Sequence, residues 1–157
     1  MASTERIPDV SEYGSVDPAP PSKITDVAQL RTILHSEENK MFLRMRAVFS
    51  LRNNRSPEAV DALCGAFDSK SALLRHEIAY VLGQMQDPLA VPTLIRILSD
   101  HDEHVMVRHE AAEALGAIGD RAARPVLEEF LLDELPEVSE SCEVALDLLD
   151  LCDVGGD

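Results

Sequence analysis

The sequence predicts an all-α fold, a solenoid of about four stacked helical hairpins. Three observations carry that expectation: an internal repeat with a period of roughly 31 to 33 residues, in the range of helix-pair solenoids; apolar residues spaced as on one face of a helix; and a core composition of 45% hydrophobic but only 4% aromatic residues, with no Trp. A core drawn from Ala, Leu, Val and Ile favours close helix packing over a sheet sandwich. At 157 residues the chain falls in the single-domain range.

Residues 1–23 carry Pro8, Pro18, Pro20 and Pro21 among small polar residues. That composition buries too little apolar surface to offset chain entropy, and the expectation is a disordered leader. From Thr25 the pattern changes, with Val27, Leu30, Ile33 and Leu34 forming one helical face. The repeat itself is seen by superposing the chain on itself. The string LLRHEIAYVLGQMQDPLAVPTLIRILSD (73–100) lies over MVRHEAAEALGAIGDRAARPVLEEFLLD (106–133). Arg75 then matches Arg108, Leu82 matches Leu115, Gly83 matches Gly116 and Asp87 matches Asp120. Weaker copies flank the pair: FLRMRAVFSLR (42–52) sets Leu51 where Leu82 stands, and EVSESCEVALDLL (137–149) sets Leu146 where Leu115 stands.

Helices are expected over 26–36 and 40–52, 57–67 and 72–85, 89–99 and 105–118, then 121–132 and 137–151. Ser56-Pro57 and Asp87-Pro88 each offer an N-cap residue followed by Pro at the first helical position. The repeat domain spans 24–152, and 153–157 reads as a flexible tail.

Fourteen basic against 29 acidic residues give a net charge of -15. Such a surface repels a phosphate backbone and attracts cationic surfaces or amines, so nucleic acid is not an expected partner. Cys64, Cys142 and Cys152 make no CxxC pair and no even framework, which speaks against a disulfide scaffold or a zinc knuckle. No apolar run has the length of a membrane span, and the first residues lack the basic start and apolar centre of a secretory signal. These readings together lead to the expectation of a cytoplasmic protein that does not enter the membrane.

Chemistry enters through one string. Arg-His-Glu occurs at 75–77 and again at 108–110, at equivalent points near the start of the second helix of repeats two and three. Equivalent helices of a solenoid lie side by side, about 8 to 10 Å apart, so His76 and His109 can reach one shared ion. Glu77 and Glu110 follow their histidines by one residue, a rotation of about 100°. One carboxylate completes a set of two histidines and one carboxylate, while the other points along the groove. Such a set with open positions suits non-haem iron that activates dioxygen, although ligand type favours iron over zinc only slightly.

Gly83 and Gly116 stand seven residues beyond the histidines, nearly two turns, on the same face. Inside a helix a Gly costs about 1 kcal/mol against Ala. Something must therefore approach the backbone closely, either a neighbouring helix or a bound side chain. Ala79 and Ala112 keep the same strip low. The first repeat has Met45-Arg46 and the fourth has Glu140-Ser141 at the His-Glu position, so the repeat does not itself require His-Glu. Arg75 and Arg108 read as inter-repeat ion-pair partners, His101 and His104 as solvated loop residues, and His35 as a helix-end residue. No nucleophile elbow, phosphate loop or CxxC pair is found, so no catalytic residue beyond the metal set is assigned.

The stretch from about 40 to 150, above all ALLRHEIAYVLGQMQD with VMVRHEAAEALGAIGD, resembles deoxyhypusine hydroxylase, a HEAT-repeat monooxygenase. The resemblance implies a HEAT-like solenoid and a di-iron enzyme. It also implies use of dioxygen to hydroxylate the deoxyhypusine side chain of eukaryotic translation initiation factor five A, completing hypusine. His76, Glu77, His109 and Glu110 match the family's iron-site motifs, and Glu77, Gly83 and Gly116 become substrate-facing candidates. Glu113, one turn beyond His109, adds to a field that attracts polyamine-like side chains. The family carries two such halves with four His-Glu steps, whereas this chain supplies one half and two steps. A homodimer would supply the second set. The competing expectation is a non-catalytic acidic HEAT-repeat scaffold or an inactive half-enzyme, similar to the repeat subunits of phycobilin lyases.

Overall fold

The computed structural model describes residues 17–153. The described residues form eight α-helices: α1 (Val27–His35), α2 (Met41–Asn54), α3 (Pro57–Cys64), α4 (Ala72–Met85), α5 (Val91–Ser99), α6 (Val105–Ile118), α7 (Arg124–Glu129) and α8 (Pro136–Asp153). No strand occurs among the described residues. Each odd helix pairs with the even helix after it, giving four hairpins. The even helices α2, α4, α6 and α8 line up side by side as the inner layer, and the odd helices pack outside them.

Helix starts follow from local hydrogen bonding. Asp26, Ser56 and Ser71 accept the exposed amide protons of Gln29, Ala59 and Leu74, and Pro57 opens α3 where no amide donor is needed. The helices expected over 89–99 and 121–132 are each broken at their beginnings into a tight 3-10 turn, Pro88–Ala90 and Arg121–Ala123. The reason lies two residues further on. Pro92 and Pro125 have no N–H to bond the carbonyls of Pro88 and Arg121, so the first turn closes three residues apart instead of four. A third 3-10 turn (Gly65–Asp68) ends the helix expected to reach 67.

The core runs along the interface of the two layers. Leu30, Leu34, Leu51, Leu63, Leu74, Ile78, Leu82, Leu94, Leu98 and Leu115 are fully buried. Where even helices cross, the contacts are small residues. A Cβ added to Gly83 would lie 3.0 Å from the Ala114 Cα, and one on Gly116 would lie 2.9 Å from the Ala145 Cα. Of the two explanations for these glycines, a neighbouring helix is the one observed at both.

The N-terminal boundary differs from the expected one. Residues 17–23, read from sequence as the end of a disordered leader, lie clasped against α2. Asp17 pairs with Arg52 at 2.6 Å, the Pro20 and Pro21 carbonyls accept from the Arg46 guanidinium, and the Ser22 amide donates to Ser50 Oγ at 2.7 Å. Pro-rich composition had hidden this, because the partners are side chains of another element. Ala19, within the same strap, is buried. The remainder of the expected leader, 1–16, lies outside the described residues. α8 reaches Asp153, which bonds Arg121, and 154–157 of the expected tail are likewise outside them.

Candidate metal centre

His76 and His109 are each the fifth residue of their helices, α4 and α6. The tight packing through Gly83 and Ala114 brings those helices close enough for side chains to meet across them. His76 Nε2 lies 3.0 Å from Glu110 Oε1, and His109 Nε2 lies 3.8 Å from the same oxygen. The Glu110 carboxylate therefore sits between the two imidazoles. Glu77 takes a different place, with Oε1 at 3.7 Å from His76 Nδ1, the opposite nitrogen of that ring. Glu113 Oε1 comes within 3.4 Å of His109 Nε2. Across the inner layer runs an alternating row: Glu77, His76, Glu110, His109, Glu113.

Burial pushes the carboxyls of Glu77 and Glu110 above the ordinary carboxylate range, although neighbouring imidazoles oppose the rise. At Glu110 the Glu113 charge pushes in the same direction as burial. Largely buried carboxylates facing imidazole nitrogens, with no Lys or Arg paired to them among the described residues, are the donor set a divalent metal ion satisfies. His109, Glu110 and Glu113 each offer a ligand atom within 4.8 Å of the others, and His76 joins this trio through Glu110. Two imidazoles and carboxylate oxygens suit iron as well as zinc.

Of the four sequence-derived ligands, His109 and Glu110 fall in one compact group with Glu113, His76 meets that group only through Glu110, and Glu77 stands to one side. Glu113 belongs nearer the centre than the sequence reading put it. Its signal was available, since i,i+4 spacing puts it on the His109 face. The repeated arginines behave as inferred: Arg75 bonds Glu103 twice at 2.8 Å, and Arg108 pairs with Asp133 at 2.7 Å. His104, expected to be solvated, caps α6 by accepting from the Met106 amide, and His101 lies against the Phe130 ring. His35 ends α1 and meets the Ala62 carbonyl at 2.8 Å.

Beside the row opens a cleft of about 320 Å³, lined by Tyr80, Gly83, Gln84, Glu110, Glu113 and Ala114 with Gln86 and Ala117. Its floor is low because Gly83 and Ala114 pack backbone to backbone. Carboxylates stand at its end towards the candidate centre. An extended cationic side chain matches that combination of apolar floor and acidic end.

The chain belongs to the HEAT-repeat family, whose model matches residues 27–105 and 66–147. Its similarities to known proteins are narrower than that class. Over 141 residues it is 56% identical to the deoxyhypusine hydroxylase of Gallus gallus, covering 90% of this chain and 47% of the relative. It is 49% identical to that of Saccharomyces cerevisiae over 143 residues, covering 89% and 44%. The solved structure of human deoxyhypusine hydroxylase in complex with glycerol superposes with a TM-score of 0.85 at 48% identity, over 91% of this chain and 50% of that one. The chain thus spans about half the length of the relatives it matches. A phycocyanin lyase complex from Nostoc superposes more weakly, with a TM-score of 0.60 at 25% identity over 78% of this chain and 52% of that one. The likeness to a lyase scaffold is the lesser of the two.

Proposed function

We propose that this chain provides one half of an iron-dependent deoxyhypusine monooxygenase, with His76, His109 and Glu110 as metal donors and Glu77 beside them. The observation that carries the reading is the Glu110 carboxylate lying between two imidazoles from adjacent helices, in a chain close to half of enzymes of that name. Iron held there would supply the activation of dioxygen that hydroxylation of an unactivated carbon needs.

The protein's own residues do the rest. Glu110 and Glu113 draw an ammonium group toward the centre, and Glu77 adds its charge from the far side of His76. The cleft floor over Gly83, Ala114 and Ala117 takes the methylenes of the deoxyhypusine side chain of eukaryotic translation initiation factor five A, so Gly83 serves both helix packing and substrate approach. For Gly116 the reading gives the packing role against Ala145. Two His-Glu steps provide one half-set of donors, and a homodimer in a two-fold arrangement would provide the other. The reading includes a cytoplasmic location.

Anaerobic Fe(II) titration followed by a hydroxylation assay tests it. Fe(II) should bind the protein, and His76→Ala with His109→Ala should abolish binding while His101→Ala leaves it intact. Iron retained by the double variant would overturn the donor assignment. Sedimentation of the iron-loaded protein beside the assay tests the homodimer: full turnover by a strict monomer removes the need for a second half-set.

A further inference from the structure

We propose that Ser141, on α8, is a positioning residue that fixes the tautomer of His109 and leaves its Nε2 lone pair facing the metal centre. The inference rests on the metal reading above and adds a residue to it.

His109 Nδ1 has two neighbours on α8: Ser141 Oγ at 2.6 Å and the Glu137 carbonyl oxygen at 3.2 Å. The hydroxyl of Ser141 donates to that same carbonyl at 2.7 Å, the back-bond a helical serine makes to the residue four before it. With its one proton committed there, Ser141 Oγ can only accept. A carbonyl oxygen only accepts as well. Nδ1 faces two acceptors and must carry the proton, and a neutral imidazole has one N–H, so Nε2 holds the lone pair. Nε2 is the nitrogen turned to Glu110 and Glu113, at 3.8 and 3.4 Å.

This is the arrangement a ligating histidine needs, with its other nitrogen donating to an oxygen that sets ring orientation and basicity. Ser141 is 7% exposed, so bulk water does not stand in for it. The position has a further logic. Ser141 stands in the fourth repeat where Glu110 stands in the third, so the stack puts a hydroxyl rather than a third carboxylate beside His109. Among the described residues His76 has no comparable hydrogen-bonded anchor, its Nδ1 lying 3.7 Å from Glu77 Oε1, beyond hydrogen-bond range.

The ¹⁵N spectrum of the metal-free protein, recorded above the titration of the imidazoles, reads the tautomer directly. His109 should show a protonated Nδ1 and a bare Nε2 in the wild type, and Ser141→Ala should shift it toward a tautomer mixture. Anaerobic Fe(II) titration of the same samples should show roughly tenfold weaker binding for Ser141→Ala, restored by Ser141→Thr. A wild-type His109 protonated on Nε2 would overturn the proposal, and so would a Ser141→Ala protein with unchanged tautomer and affinity. The wild-type spectrum needs no variant, so a poorly folding Ser141→Ala does not rescue the idea. Absence of Fe(II) binding in the wild type would instead strike the metal reading, with the tautomer still judged by its own spectrum.

Discussion

The hairpins ending in α4 and α6 share Arg-His-Glu near the helix start and Gly seven residues later, yet their histidines do different things. Each reaches toward the same register on the next helix of the stack. For His76 that register holds Glu110; for His109 it holds Ser141. One histidine consequently shares a carboxylate across the groove, and the other is anchored from behind and presents its free nitrogen. A duplicated motif acquires distinct roles here because the neighbour changes, not because the motif does. The arginines differ as well: Arg108 is almost wholly buried with Asp133, whereas Arg75, paired with a similarly buried Glu103, keeps some access to water.

The largest expected effect tests that last contrast. Asp133→Asn leaves the Arg108 guanidinium buried without its carboxylate, and should cost about 3 kcal/mol of stability, since removing one partner of a buried pair is strongly destabilising. Glu103→Gln should cost less: both arginines also donate to a carbonyl, Arg75 to Ser69 and Arg108 to Leu98, but only Arg75 is partly solvated. Urea denaturation measures both, and equal costs would erase the distinction. The pH dependence carries the same sign. Burial raises the Asp133 carboxyl, but the Leu135 amide and Arg108 outweigh it and hold the group below its ordinary value of 3.8. A depressed folded pKa stabilises the fold above the unfolded value, and that stability is lost as pH falls through the folded one. The gap between wild type and Asp133→Asn should hold steady above about pH 5 and close in the acid range.

Next in size is the contrast between the two glutamates. Glu110→Gln removes the carboxylate between the imidazoles and should weaken Fe(II) binding on the order of 100-fold, about 2.7 kcal/mol. Glu77→Gln, which faces the opposite nitrogen of His76, should weaken it only a few-fold while lowering affinity for a cationic substrate side chain. Calorimetric titration with Fe(II) separates them, and the reverse ranking would make Glu77 the ligand.

Much of this was readable in the sequence. The 33-residue offset between Arg75 and Arg108 put the two histidines at equivalent helix positions, and stacking alone then predicts that they face one another. The boundaries of α4 and α6 follow from their periodicity without correction. Periodicity said nothing about the strap of residues 17–23, because its hydrogen bonds go to Arg46, Ser50 and Arg52 on α2, a different element. Nor did it separate Glu77 from Glu110. Both follow a histidine by one residue, and only the crossing of α4 over α6 at Gly83 and Ala114 decides which carboxylate falls between the rings. Ser141 was visible only as a position where the motif is missing.

Smaller effects are expected where the even helices touch. Gly116→Ala sets a Cβ at 2.9 Å from the Ala145 Cα, a backbone atom with no rotamer to yield. The clash is partly offset by the better helix propensity of Ala, leaving a net loss of about 1 kcal/mol. Gly83→Ala, at 3.0 Å from the Ala114 Cα, should lose slightly less in thermal melts. Its effect on Fe(II) affinity should nevertheless be the greater of the two, because only the α4–α6 crossing sets the distance between His76 and Glu110.

The smallest effect concerns how the two helices begin. α4 is capped by Ser71, whose hydroxyl accepts from the Leu74 amide, and α6 by His104, whose Nδ1 accepts from the Met106 amide at 3.1 Å. Serine is among the preferred N-cap residues because its short side chain reaches an exposed amide with little loss of freedom. An imidazole does this only as the tautomer with a bare Nδ1, and it orders a larger side chain to make one bond. His104→Ser should therefore stabilise the protein by about 0.5 kcal/mol, a rise in Tm of about 1–2 °C for a domain of this size, whereas Ser71→Ala should lower stability by about 1 kcal/mol. Differential scanning calorimetry at neutral pH resolves both. If His104→Ser lowers Tm instead, the histidine contributes more to the 100–104 turn than its cap bond, and the start of α6 differs from that of α4 in kind rather than in the quality of its cap.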